Sequence, residues 1–160
     1  MSRYTSNDHT TRSPVDLQAA KRVAAERFEA IAVRHLPPGY SVVRYRKNLS
    51  GYCDPKNKVI VVPRPRTRKA LYIFLHECAH AHLHRNGSRG RVPRHVEELE
   101  AEQWAHARMR EAGIRVPRAM TKRAKRYVAR KIKQAIARGA KHIDPQARRF
   151  ARSARRAEHA

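Results

Sequence analysis

The sequence predicts an α+β fold in which several helices surround a small β-hairpin. Three observations carry that expectation. Long stretches place apolar residues at helical spacing, two short strand-like runs flank a turn sequence, and helix-start and helix-stop residues punctuate the chain.

Taken in order, residues 1–12 are polar and are expected to be unstructured. Ser13, Pro14 and Asp16 form a helix start: a capping hydroxyl, a residue suited to the first helical position, and an acid at the positive end of the dipole. Leu17, Ala20, Ala24, Phe28 and Ile31 supply the helical spacing up to His35, and Pro37-Pro38-Gly39 ends it. Tyr40 to Arg46 reads as a strand. Gly51-Tyr52-Cys53 and Val59 to Val62 read as hairpin arms around the turn Asp54-Pro55-Lys56-Asn57. A helix from about Arg68 to His84 is apolar on nearly every side, which predicts burial, and Asn86-Gly87 stops it. A further helix runs from about His95 to Ala112 and ends at Gly113.

The remainder is basic. Residues 114–160 hold sixteen Lys and Arg against Asp144 and Glu158, a net +14 of the chain's +24. Thr121 to Arg138 reads as a helix with Ala124, Tyr127, Val128, Ile132, Ala135 and Ile136 as its apolar stripe, and Asp144-Pro145 opens a short helix toward Phe150. The expected organisation is therefore a domain over residues 13–117 and a basic helical extension over 118–160.

With 160 residues, 41% hydrophobic and 6% aromatic, the chain can build one modest core, mainly of aliphatic residues. Two cysteines provide no disulfide framework. The N-terminus lacks the apolar core of a signal peptide, and no apolar run approaches the roughly 20 residues of a membrane span. The expectation is a cytoplasmic protein that does not cross a membrane. A charge of +24 predicts attraction to polyanions.

His76-Glu77-Cys78-Ala79-His80 places two histidines four apart on a helix, on one face and roughly 6 Å apart. Two imidazoles at that spacing can share a zinc ion. Glu77 stands beside the shared axis, where it can act as general base toward a metal-activated water. Zinc needs a third protein ligand. The downstream helix offers Glu97, Glu98, Glu100 and Glu102. At 100° per residue, Glu98 and Glu102 share the face of Ala101, Trp104, Ala105, Met109 and Ala112. Glu97 lies at its margin and Glu100 points nearly the opposite way. A carboxylate on an apolar face is costly unless neutralised. Glu98 is therefore the expected third ligand, and Glu102, one turn on, the expected partner for the outer nitrogen of a ligand histidine.

These stretches resemble the ImmA/IrrE-type metallopeptidases, a minimal gluzincin group: a hairpin (GYCDPKNKVIVVP), the HExxH helix (LHECAHAHLH), then Glu98-Leu99-Glu100-Ala101-Glu102-Gln103-Trp104-Ala105. Glu102 departs from the Asn or Asp usual there. The resemblance covers about residues 40–117 and implies a zincin-like domain with a small sheet and an active-site helix, zinc as cofactor, and hydrolysis of protein or peptide substrates.

His82 falls on the back of the motif helix with Leu71 and Leu75 and reads as a hydrogen-bonded core residue. His84 lies two turns from His76, roughly 12 Å along the axis, too far to share its metal. Tyr52, His95 and His106 are open as oxyanion donors. Cys78 reads as a small buried residue. Lys122, Arg123, Lys125, Arg126, Arg130 and Lys131 share one helix and can contact several phosphates, giving sequence-independent DNA or RNA binding, with an acidic protein as the competing partner. The alternative to an enzyme is a basic nucleic-acid-binding protein whose zinc site is structural or idle.

Overall fold

The computed structural model describes residues 13–84 and 92–152. The expected unstructured segment 1–12 and the helix stop at Asn86-Gly87 lie outside the described residues. The architecture is α+β: α1 (Pro14–Arg34), β1 (Ser41–Arg46), β2 (Tyr52–Asp54), β3 (Val59–Pro63), α2 (Arg68–Leu83), α3 (Arg94–Glu111), α4 (Arg118–Ala137) and α5 (Pro145–Arg152).

The Ser13 hydroxyl accepts from the Asp16 N–H at 3.2 Å and so caps α1. The apolar stripe expected along α1 is buried only toward its end, where Ile31 and Ala32 enter the core and Phe28 packs on it. Leu17 and Val15 remain exposed. Ala20 and Ala24 offer one methyl each, too little apolar area to seat the first half of the helix.

The three strands form one sheet in the order β1-β3-β2. β2 and β3 are the expected hairpin, paired antiparallel, and β1 joins parallel on the far side of β3. Asp54 shapes the turn, its Oδ1 accepting from the N–H groups of Lys56 (3.1 Å) and Asn57 (3.2 Å).

α2 begins at Thr67, whose hydroxyl accepts from the Ala70 N–H at 3.2 Å. It is buried along almost its whole length, as its uniform apolarity predicts. One side rests on β3 through a cluster that includes Ile60, Val62, Leu71, Leu75 and Cys78; another meets Ala105 and Met109 of α3. α3 in turn serves two layers. Its Leu99 packs into a second cluster with Val128 and Ile132 of α4, Ile143, and Ala147 and Ala151 of α5. Met120 at the start of α4 joins the main core. The segment that charge alone sets apart thus lies along α3, close to the motif helix.

Leu75 is completely buried, whereas Val15 is 77% exposed. Leu75→Ala is expected to cost about 2–5 kcal/mol, and Val15→Ala no more than about 0.5 kcal/mol. Denaturant unfolding monitored by circular dichroism measures both.

Candidate metal centre

His76 and His80 lie one helical turn apart on the face of α2 turned toward α3. Glu98 lies in the second turn of α3, opposite them, and is only 5% exposed. Oε2 of Glu98 stands 3.3 Å from Nε2 of His76 and 3.8 Å from Nε2 of His80. One ligand atom from each of these residues falls within 4.8 Å of the others, a group that could hold a metal ion.

The charges follow from this convergence. Burial opposes ionisation of Glu98, but the nearby imidazoles of His76 and His80 and their charges hold the carboxyl well below its usual range. Burial also opposes charge on His76, yet the Glu98 hydrogen bond and the charges of Glu77 and Glu98 outweigh it and raise its pKa. His80 is lowered, chiefly by burial. A carboxylate kept ionised and a neutral second imidazole are the forms in which these groups bind metals.

Two of the three converging side chains, Glu98 and His80, are held from behind. Nη2 of Arg94 donates to Oε1 of Glu98 at 2.7 Å, leaving Oε2 to the histidines, and Nη1 binds Glu97 at 2.9 Å. Nδ1 of His80 lies 3.2 Å from Nδ1 of His84, and Nε2 of His84 lies 2.9 Å from Oε2 of Glu100. When Nε2 of His80 serves as ligand its proton sits on Nδ1. His84 then accepts that proton's hydrogen bond and donates its own to Glu100.

Glu102 is fully buried, as the helical phase predicts. Its Oε2 accepts from the Tyr72 hydroxyl and its Oε1 lies 2.8 Å from Nε2 of His106. Nδ1 of His76 is 3.7 Å from Oε2 of Glu102, beyond hydrogen-bond reach, and has no hydrogen-bond partner among the described residues. The expected bond from Glu102 to an outer ligand nitrogen is thus not made, although the carboxylate faces His76. Tyr72 occupies the oxygen instead.

Glu77 lines the same cleft. Burial pushes its pKa up to about 7 against the lowering effect of the His76 charge. A hydrogen bond from the Cys53 backbone N–H holds it, joining α2 to the edge strand β2. Gly51 lets the carboxylate approach: a Cβ there would meet Cγ of Glu77 at 2.8 Å and Cγ1 of Val62 at 3.0 Å. The cleft has a volume of about 780 Å³. Its lining includes the segment Leu49 to Cys53 and Arg123, Tyr127 and Lys131 of α4.

Among the possible oxyanion donors, Tyr52 lines the cleft, while His95 and His106 are not among its lining residues. His95 is buried, with Nε2 accepting from the Asp144 N–H at 3.4 Å. His82 bonds the His35 carbonyl at 3.1 Å and stacks on Trp104, away from the metal ligands. Cys78 is fully buried, and burial raises its thiol pKa. The six basic residues singled out on α4 diverge. Arg123 and Lys131 line the cleft, Lys125 sits over the Phe150 ring, Arg130 over the Tyr127 ring, Arg126 is exposed, and Lys122 is half-buried.

Sequence reasoning missed four supports: Arg94, Tyr72, Gly51, and the His84–Glu100 pair. Two carried a readable signal, since Arg94 precedes Glu97 and Glu98 by three and four residues, and His84 follows His80 by four.

Comparison of the chain with protein-family models, curated proteins and solved structures gave no match. Among the described residues, no helix is long and apolar enough to cross a membrane.

Removing a converging group should weaken metal binding more than removing a supporting one. Titration with Zn2+ against a competing chelator is expected to show almost complete loss of tight binding in Glu98→Ala. Glu100→Gln, acting only through His84, is expected to weaken binding by about 10–100-fold.

Proposed function

We propose that the chain is a zinc-dependent metallopeptidase with a zincin-like domain. Atoms 2.0–2.1 Å from a tetrahedral zinc stand about 3.4 Å from one another. The separations of 3.3 Å and 3.8 Å at Glu98 suit that geometry, and two imidazoles with a carboxylate are a donor set zinc accepts. The resemblance of residues 40–117 to ImmA/IrrE-type proteins supports the same reading. Zinc held by His76, His80 and Glu98 would supply a Lewis acid and lower the pKa of water.

Glu77 is the observation that carries the reading. A structural metal site needs no carboxylate beyond its ligands, yet Glu77 borders the same cleft, with its pKa pushed up to about 7 by burial. Such a group takes a proton from the attacking water and returns it to the leaving amine at neutral pH. Gly51 and the Cys53 N–H fix its position, and Arg94 fixes the ligating oxygen of Glu98. The substrate is a protein or peptide.

A second activity rests on the outward face of α4. Arg126, Arg130 and Lys133 are exposed, recur at intervals of four and three, and share one stripe. That stripe suits sequence-independent DNA or RNA binding, either beside peptidase activity or, if the metal site is idle, in its place.

Glu77→Gln is expected to retain its metal and lose hydrolysis of a broad protein panel, since an amide cannot accept the proton. Gly51→Ala, which forces Glu77 aside, is expected to retain metal and lose most activity. Wild-type turnover in Glu77→Gln removes this residue from the mechanism. Log affinity for DNA is expected to fall with log salt by about 0.9 per phosphate contacted, with a smaller slope after Arg126→Ala and Arg130→Ala. Filter binding across a salt series measures it.

A further inference from the structure

We infer that the metal cleft takes acidic peptides, selected by Arg123 and Lys131 of α4; this rests on the peptidase reading above and names its substrate class. Arg123, Tyr127 and Lys131 lie at intervals of four, so they form one row on α4, and all three line the cleft. With a rise of 1.5 Å per residue, the backbone positions of Arg123 and Lys131 are about 12 Å apart.

The acids that line the cleft are already committed. Glu97 and Glu98 are buried and bound by Arg94, and Glu77 is buried and held by the Cys53 N–H. The cations on the α4 wall are not offset in this way. Nη1 of Arg123 donates to the Leu49 carbonyl at 2.5 Å, a bond that joins α4 to the segment Leu49 to Cys53. Among the described residues no carboxylate pairs with Arg123, and this neutral acceptor leaves its remaining donors available to a carboxylate. Lys131 lies over the Tyr127 ring, with Nζ 5.1 Å from the centroid, an arrangement that holds the ammonium without neutralising it.

An extended peptide advances about 3.3 Å per residue, so three or four residues cover the distance from Arg123 to Lys131. The preferred sequence therefore carries acidic residues three or four apart. Lys122, Arg126 and Lys133 are not among the residues that line this cleft and do not take part in the selection.

The test uses the zinc-loaded full chain carrying Glu77→Gln, so that bound peptide is not cleaved. Fluorescence anisotropy at about 0.15 M salt reads its binding to three labelled probes: an alanine-rich peptide of roughly ten residues with two glutamates four apart, the same peptide with lysines instead, and a single-stranded oligonucleotide of similar length. The glutamate peptide is expected to bind at least about tenfold more tightly than the lysine peptide. Arg123→Gln with Lys131→Gln is expected to remove that preference. Arg126→Gln with Lys133→Gln, which deletes the same charge from the outer face, should change it less than about threefold. Equal losses from the two pairs overturn the inference, because net charge alone would then explain binding. So does an oligonucleotide that depends on Arg123 and Lys131 more strongly than the glutamate peptide does. Zinc content is measured on the same samples. A protein without metal overturns the peptidase reading itself, whereas a metal-bearing protein that treats both peptides alike overturns only the selection by α4.

Discussion

Glu98 and Glu102 lie on the face of α3 that packs against α2, and a carboxylate buried there is costly unless opposite charge or hydrogen-bond donors meet it. Much of the molecule's polar interior answers that requirement. His76 and His80 converge on one oxygen of Glu98, and Arg94 takes the other. Tyr72 and His106 bind Glu102. The apolar remainder of α2 and α3, through Leu75, Cys78, Ala105 and Met109, fixes the spacing between the helices. A metal ion at the centre would satisfy the same carboxylate while using the histidines as neutral ligands.

The order of elements places the polar groups of the cleft around that constraint. The β2–β3 hairpin brings Gly51 and Cys53 against Glu77, so Glu77 is positioned by the sheet, and His76, His80 and Glu98 by the helices. α4 closes the remaining side. Its packing on α3 through Val128 and Leu99 turns Arg123, Tyr127 and Lys131 into the cleft and leaves Arg126 and Lys133 to the exterior. One basic helix thereby presents two chemically different faces, and net charge describes neither.

The elements were legible in the sequence because their signals are local. Caps, turn residues and long periodic helices define α1 to α5 and the hairpin, and a spacing of four places His76 and His80 on one face whatever the tertiary fold. The phase of α3 brought Glu98 and Glu102 to the apolar side for the same reason. What was not legible depends on packing between elements. Tyr72 reads as an ordinary apolar residue of α2 until α3 supplies Glu102. Gly51 reads as a hairpin residue until Glu77 lies against it. The role of α4 was hidden because a density of charge marks exposure and does not reveal which side chains turn inward.

The central claim is that His76, His80 and Glu98 form a single metal site beside Glu77. Crystals of the zinc-loaded protein, with diffraction measured on both sides of the zinc absorption edge, test it most directly. The account predicts one dominant anomalous peak per chain, about 2.0–2.2 Å from Nε2 of His76, Nε2 of His80 and a carboxylate oxygen of Glu98. A dominant peak at Cys53 or at the His84–Glu100 pair, or no peak at the histidines in the presence of excess zinc, would contradict it.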